Sequence, residues 1–229
     1  MSTPARCVAL LPVKQLPRAK SRLARDLPRA AVSDITLAML QDLVECLSNV
    51  RRIERIVVVT PDLEIAETAK REGAEGLVLQ DPGLNPSLDA AALRLLADGS
   101  KELLVVLGDV AGAVPSDVDQ MFEALDALGG RGVVLAPAND GGTSALLRAP
   151  GDLIANRFGA DSAAAHRELA RTASVPYREL ALPSLAVDLD HLRDIPALLR
   201  TAGGRRTRAL LRRLGLGAPG RDGAPTDER

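Results

Sequence analysis

Four cations crowd one short stretch near the amino terminus, Leu10 to Leu23 (LLPVKQLPRAKSRL): Lys14, Arg18, Lys20 and Arg22. Charges of one sign at this density suit an anionic ligand. Pro12 and Pro17 oppose a continuous helix and favour a loop with a fixed course. The apolar run Cys7-Val8-Ala9 just before it reads as a strand. Open α/β sheets place their ligands at the carboxyl ends of such strands. The spacing is unlike a P-loop, which needs Gly-x4-Gly-Lys-Ser/Thr. Taken alone, the segment fits a solvated basic loop equally well.

Carboxylates supply a second chemistry. Asp109 follows the most apolar run of the chain, Leu103 to Leu107, where it could meet a ligand or a Mg²⁺ ion, which takes a few oxygen ligands together with substrate phosphates. An Asp in this place also serves as a helix cap or a turn residue. Ala186-Val187-Asp188-Leu189-Asp190 offers two more acids, which share a face if the segment is extended. Asp190 precedes a predicted helix and suits its N-cap, so Asp188 is the favoured metal ligand and Asp190 the structural residue. Asp140-Gly141-Gly142-Thr143-Ser144 could bring backbone N–H groups and a hydroxyl to an anion, or form a plain hairpin turn. Gly159 and Ser162 lie at a predicted helix N-terminus, a natural seat for phosphate or carboxylate, with His166 on the same helix face as Ser162. No Ser or Cys has the context of a nucleophilic triad.

These residues need a scaffold, and strand and helix patterns alternate along most of the chain. Strands are predicted at Arg55–Thr60, Gly76–Leu79, Leu103–Leu107 and Val133–Pro137, with weaker ones at Tyr177–Leu182 and Leu185–Leu189. Helices are predicted at Ala30–Leu47, Leu63–Glu72, from an Asn85 cap to about Ala97, at Ser116–Leu128 with Ser116 as cap and Asp119 in the first turn, from Ser162 to about Ala173, and at His191–Thr201. Thr143–Arg148 reads as a hairpin-like addition or an antiparallel edge. The alternation argues for an α/β fold: a single domain of three layers, α/β/α, on a mostly parallel sheet. That domain is expected over residues 1–202. Residues 203–229, rich in Arg and then in Gly, Pro and Asp, read as a largely disordered tail.

Composition narrows the function classes. A formal net charge of -1 nominates neither nucleic acid nor membrane as partner. Phe122, Phe158 and Tyr177 are the whole aromatic set, too few for platforms that stack bases. Cys7 and Cys46 lack metal spacing and read as small buried hydrophobes. With no secretory apolar region and no apolar run of bilayer length, the expectation is a cytoplasmic enzyme-sized domain.

In order and spacing, these segments resemble the CofC/FbiD family, the guanylyltransferases of coenzyme F-420 biosynthesis. The likeness covers residues 6 to about 200. It is carried by Pro12-Val13-Lys14, Ala19-Lys20-Ser21-Arg22-Leu23, Leu37-Ala38-Met39-Leu40-Gln41-Asp42, Gly83-Leu84-Asn85, Gly141-Gly142-Thr143-Ser144-Ala145-Leu146, Phe158-Gly159 with Ser162 and His166, and Asp188-Leu189-Asp190. The resemblance implies a fold like that of nucleotide-diphospho-sugar transferases. It also implies transfer of GMP from GTP to a small phosphorylated acid, most often phosphoenolpyruvate, with pyrophosphate released. Thr143, Gly159 and Ser162 would bind the acid and Asp109 and Asp188 would hold Mg²⁺; the resemblance is compatible with the opening loop as a triphosphate cradle, where Lys14, Lys20 and Arg22 would neutralise phosphate charge. A homodimer and a hand-off to the next enzyme of the pathway are compatible with it. Two positions depart from the family pattern: Asp109-Val110-Ala111-Gly112 stands where Asp-Leu-Pro is usual, and Val32 stands where an Arg often lies. Two rival readings are a nucleotidyltransferase acting on a sugar phosphate or a molybdenum cofactor precursor, and a family member that binds nucleotide without catalysis.

Overall fold

In the computed structural model, which describes residues 7–80 and 82–216, the apolar runs become the strands of one sheet. These are β1 (Cys7–Pro12), β2 (Ile53–Thr60), β3 (Glu75–Val78), β4 (Glu102–Val106), β5 (Gly132–Pro137), β6 (Thr143–Ala149) and β7 (Tyr177–Glu179). Their order is β3-β2-β1-β4-β6-β5-β7. β6 alone runs against its neighbours β4 and β5; the remaining pairings are parallel. The antiparallel addition is therefore a hairpin strand inside the sheet rather than an edge.

Helices α1 (Arg29–Ser48), α2 (Leu63–Arg71) and α4 (Pro115–Ala127) cover one face, and α3 (Leu84–Ala97) and α5 (Ser162–Thr172) cover the other. Strand alternation sorts the side chains between them. Cys7, Ala9 and Leu11 of β1 join the core under α1, whereas Val8 and Leu10 join the core under α3. Both cysteines are free and buried. No helix of the described residues is long and apolar enough to cross a membrane.

The carboxyl-terminal third departs most from expectation. Leu185–Leu189 forms no strand; Leu185 buries in the core under the sheet, and Leu189 N–H donates to Asp109 O, in the turn after β4, at 3.3 Å. The helix expected at His191–Thr201 is a single 3-10 turn followed by α6 (Ile195–Arg200). Residues 203–216 are part of the folded body, not a tail. They carry α7 (Arg205–Arg213), whose Leu210 and Leu211 bury against Val32, Ile35 and Met39 of α1, each contributing about 1.5–3 kcal/mol. The Asp42 carboxylate caps α7 by accepting from Arg206 N–H at 2.8 Å and Thr207 N–H at 2.7 Å. Gly203 and Gly204 are contact residues rather than a linker: a Cβ on either would collide with the carbonyls of Ala111 to Ala113. The disorder expected of the last residues falls on 217–229, outside the described residues.

Candidate active site

A cleft of about 200 Å³ opens at the carboxyl ends of β1, β2 and β4. One end is charged, with Lys14, Lys20, Asp109 and Asp190; the other is neutral, with Val59, Pro61, Leu79 and Leu84. The opening loop crosses it on a fixed course. Val13 N–H donates to Val59 O at 2.9 Å, Leu16 N–H donates to the Asp62 carboxylate at 3.0 Å, and Arg29 Nη1 donates to Ala19 O at 3.0 Å. The loop also presses on the turn after β4, where Gly108 leaves room that a Cβ, 2.9 Å from Pro12 O, would fill.

Asp109, Asp188 and Asp190 each offer one carboxylate oxygen, and the three atoms lie within 4.8 Å of one another. Lys20, with a left-handed φ of 47°, places its Nζ 2.9 Å from Asp190 Oδ1 and 3.4 Å from Asp109 Oδ2. Arg22, more exposed, reaches Asp190 Oδ2 at 3.3 Å. Desolvation opposes the charge on Lys20, but Asp109 and Asp190 outweigh it and hold the ammonium above its usual range. Asp188 fares differently. Burial, and then the charges of Asp109 and Asp190, push its carboxyl above the ordinary range. Burial acts on Asp190 as well, but Lys20 overrides it and holds that carboxyl below the ordinary range. Three hard oxygens converging with one acid still uncompensated fit a divalent cation.

Asp190 does not cap a helix. Its own N–H and that of His191 donate to Asp194 Oδ2, at 3.0 and 2.6 Å, and His191 and Asp194 form the capping box. That frees the Asp190 carboxylate for Lys20 and Arg22. The expected caps at Asn85 and Ser116 fail too: Gly83 and Val114 precede those helices, and Asp117 rather than Asp119 lies in the first turn of α4. The turn after Asp109, which lacks the family's proline, is held by packing instead, with Val110 and Ala111 buried and Gly203 against its carbonyls.

The second group of expected site residues gathers where β6 starts beside the end of β4, with Leu107 N–H donating to Ser144 O at 3.0 Å. Thr143 is buried, and its Oγ1 lies 3.0 Å from His166 Nδ1. Arg157 N–H donates to His166 Nε2 at 3.0 Å, which leaves the proton on Nδ1 and makes Thr143 Oγ1 its acceptor. Burial first, and then the nearby charge of Arg148, lower the His166 pKa to about 4, so the ring stays neutral. Ser162 begins α5 with its Oγ buried and, among the described residues, without a partner, and no side chain among them caps that helix. Gly159, with φ of 142°, turns the chain toward it, and Ala163 N–H donates to Gly141 O at 3.2 Å, joining this turn to the Asp140–Gly142 loop. Asp140 in turn lines a second hollow with Arg22, Asp188 and Asp190, so the two groups of residues border one another.

Comparison with known proteins places the chain in a family and a fold. The family model "Guanylyl transferase CofC like" matches residues 7–226. A phosphoenolpyruvate guanylyltransferase of Sphaerobacter thermophilus is 36% identical over 192 residues, covering 83% of this chain and 91% of its own. One from Roseiflexus sp. is 36% identical over 206 residues, covering 89% and 90%. A Desulfovibrio desulfuricans structure assigned to the nucleotide-diphospho-sugar transferases superposes with a TM-score of 0.71 at 20% identity, covering 91% of this chain and 95% of that one, which makes the fold nucleotide-diphospho-sugar transferase-like. A matched family model across nearly the whole chain, together with relatives above a third identical, means that the protein belongs to the CofC-like guanylyl transferase family.

Proposed function

We propose that the protein is a nucleotidyltransferase that moves GMP from GTP to the phosphate of phosphoenolpyruvate, releasing pyrophosphate, in coenzyme F-420 biosynthesis. The observation that carries this reading is the charged end of the cleft, where a cationic loop meets three converging carboxylates. A phosphate oxygen of the acceptor attacks the α-phosphorus of GTP. The new P–O bond forms as the bridge from the α- to the β-phosphate breaks, and its electron pair leaves on pyrophosphate. The attacking oxygen is already anionic, so the site needs no strong general base, and His166 is buried and committed to Thr143 and Arg157. Catalysis is then positioning and charge neutralisation.

In this reading the neutral end of the cleft takes the guanine nucleoside and Lys14 and Lys20 meet the triphosphate. Arg22 stands beside Asp190 at the mouth of the second hollow. Asp109 and Asp188, with Asp190 as a third member, would hold Mg²⁺, which when bound neutralises phosphate oxygens. The acceptor sits at the start of α5, where Gly159 offers a backbone N–H and Ser162, whose own N–H donates to Gly159 O at 3.3 Å, a hydroxyl without a partner among the described residues, beside Thr143. Incubation with GTP, Mg²⁺ and, separately, phosphoenolpyruvate, 2-phospholactate and 3-phosphoglycerate tests this. Pyrophosphate is expected fastest with phosphoenolpyruvate. Its absence with all three acids would overturn guanylyl transfer, and faster turnover of CTP or UTP would favour another nucleotidyltransferase.

A further inference from the structure

Asn85 was expected to cap a helix, and its side chain does something else. It is the second residue of α3, and its amide spans to a residue 73 positions away: Nδ2 donates to Phe158 O at 2.9 Å, and Oδ1 accepts from Phe158 N–H at 2.8 Å. An asparagine side chain presents one donor and one acceptor side by side, which matches the N–H and C=O of a single extended residue. The segment it grips belongs to no strand. Side chains satisfy its backbone one group at a time: Arg148 Nη1 donates to Ile154 O at 2.7 Å, His166 Nε2 accepts from Arg157 N–H, and Asn85 holds both polar groups of Phe158. The Phe158 ring is buried and meets His166 edge to face, with centroids 5.1 Å apart. Gly159 comes next, so the acceptor turn starts from a residue that cannot drift.

The other end of this link is the nucleotide cleft. Leu84 and Ser87, in the same turn of α3 as Asn85, line it. We propose that Asn85 is a positioning residue that fastens the acceptor turn at Phe158–Gly159 to the cleft wall, so that a nucleotide seated against α3 orders the acceptor site. This rests on the reading above, in which the cleft takes GTP and the start of α5 takes the acid. Reciprocity follows: acceptor bound at Gly159 steadies the α3 wall for the nucleotide.

Asn85→Asp is the sharpest variant, because it keeps size and one acceptor but sets a second acceptor against Phe158 O. Its KM for phosphoenolpyruvate should rise roughly tenfold or more, as loss of a hydrogen bond to a buried group does, while GTP affinity without acceptor changes by less than about threefold. Hydrogen exchange gives a readout independent of turnover. In the parent, GTP with Mg²⁺ and no acceptor should slow exchange across residues 156–162, and in Asn85→Asp it should not. A parent-like KM for the acid, or an equal loss of affinity for both substrates, would overturn the link. So would parent exchange that ignores GTP, a result that needs no variant to fold. Ser162→Ala separates the two levels. If its KM for the acid is unchanged, the acceptor lies elsewhere and both reading and link fall. If it rises while Asn85→Asp stays at the parent value, the link alone falls.

Discussion

Two charge clusters stand at opposite ends of the same sheet, and they are built to opposite rules. At the amino end, buried Glu102 accepts from Arg52 Nη2 at 2.7 Å and from Nε at 3.1 Å. Arg52 Nη1 then serves both oxygens of Asp126, at 2.7 and 2.8 Å, and the guanidinium lies 5.5 Å from the Phe122 ring. Each acid there is met by a guanidinium nitrogen, and the buried one, Glu102, by two. At the carboxyl end three acids converge on Lys20 and Arg22, and one of them, Asp188, is held at a raised pKa by burial and like charge. A saturated cluster stabilises the fold. An unsaturated one leaves charge that a ligand could meet, and perturbed groups of this kind gather where function lies.

Mutation should separate the two. Arg52→Leu strands a buried Glu102 and is expected to cost about 3–5 kcal/mol of stability, a fall in Tm of roughly 10 °C. Turnover below the new transition should match the parent. Thermal melts and rates at low temperature check both halves; a stable Arg52→Leu, or one that folds but cannot turn over, would erase the contrast.

Asp109→Asn should behave in the reverse way. Loss of one electrostatic partner of the transition state costs about 2.7–4 kcal/mol, or roughly 100- to 1,000-fold in rate. Stability should change little, because relief of crowding among the acids is set against the lost charge of Asp109 beside Lys20, and no cavity opens. Rates across a Mg²⁺ titration, with melts alongside, test this. A parent rate at limiting Mg²⁺ would remove Asp109 from the site.

A smaller and pH-dependent effect belongs to Asp188. Its folded pKa is raised, so between the unfolded and folded values the folded state binds more protons than the unfolded one. The stability this confers is full below the unfolded value, about 4, and is lost as pH climbs through the folded value. At neutral pH the ionised carboxylate is therefore a cost. Asp188→Asn in chelator should raise Tm at neutral pH, with the gain vanishing near pH 4. Asp190, with its lowered pKa, contributes in the opposite sense, losing stability as pH falls. Adding Mg²⁺ should raise the melting point of the parent more than that of Asp188→Asn.

The same contrast marks what could be read from the sequence. Strands such as Leu103–Leu107 declare themselves by apolar content, and Asp109 by its place after the best of them. The cationic opening loop was legible for the same reason. Asp190 and Asn85 were misread because both stand where local preference favours a cap, while their real partners, Lys20 and Phe158, lie 170 and 73 residues away. Arg52 and Glu102 gave no local signal either, being 50 residues apart. The carboxyl-terminal boundary failed on Gly203-Gly204, where glycine serves close backbone contact rather than flexibility, and on α7, whose two core leucines are hidden among arginines and whose cap, Asp42, comes from α1.

Phosphorus NMR of one mixture puts the chemistry to its most direct test: protein, GTP, Mg²⁺ and phosphoenolpyruvate, followed in time. GMP transfer requires the monoester resonance of phosphoenolpyruvate to fall while a coupled diphosphate pair grows with pyrophosphate in equal amount. GDP and inorganic phosphate accumulating beside unchanged phosphoenolpyruvate would contradict it, and would make the acid cluster a site of nucleotide hydrolysis instead.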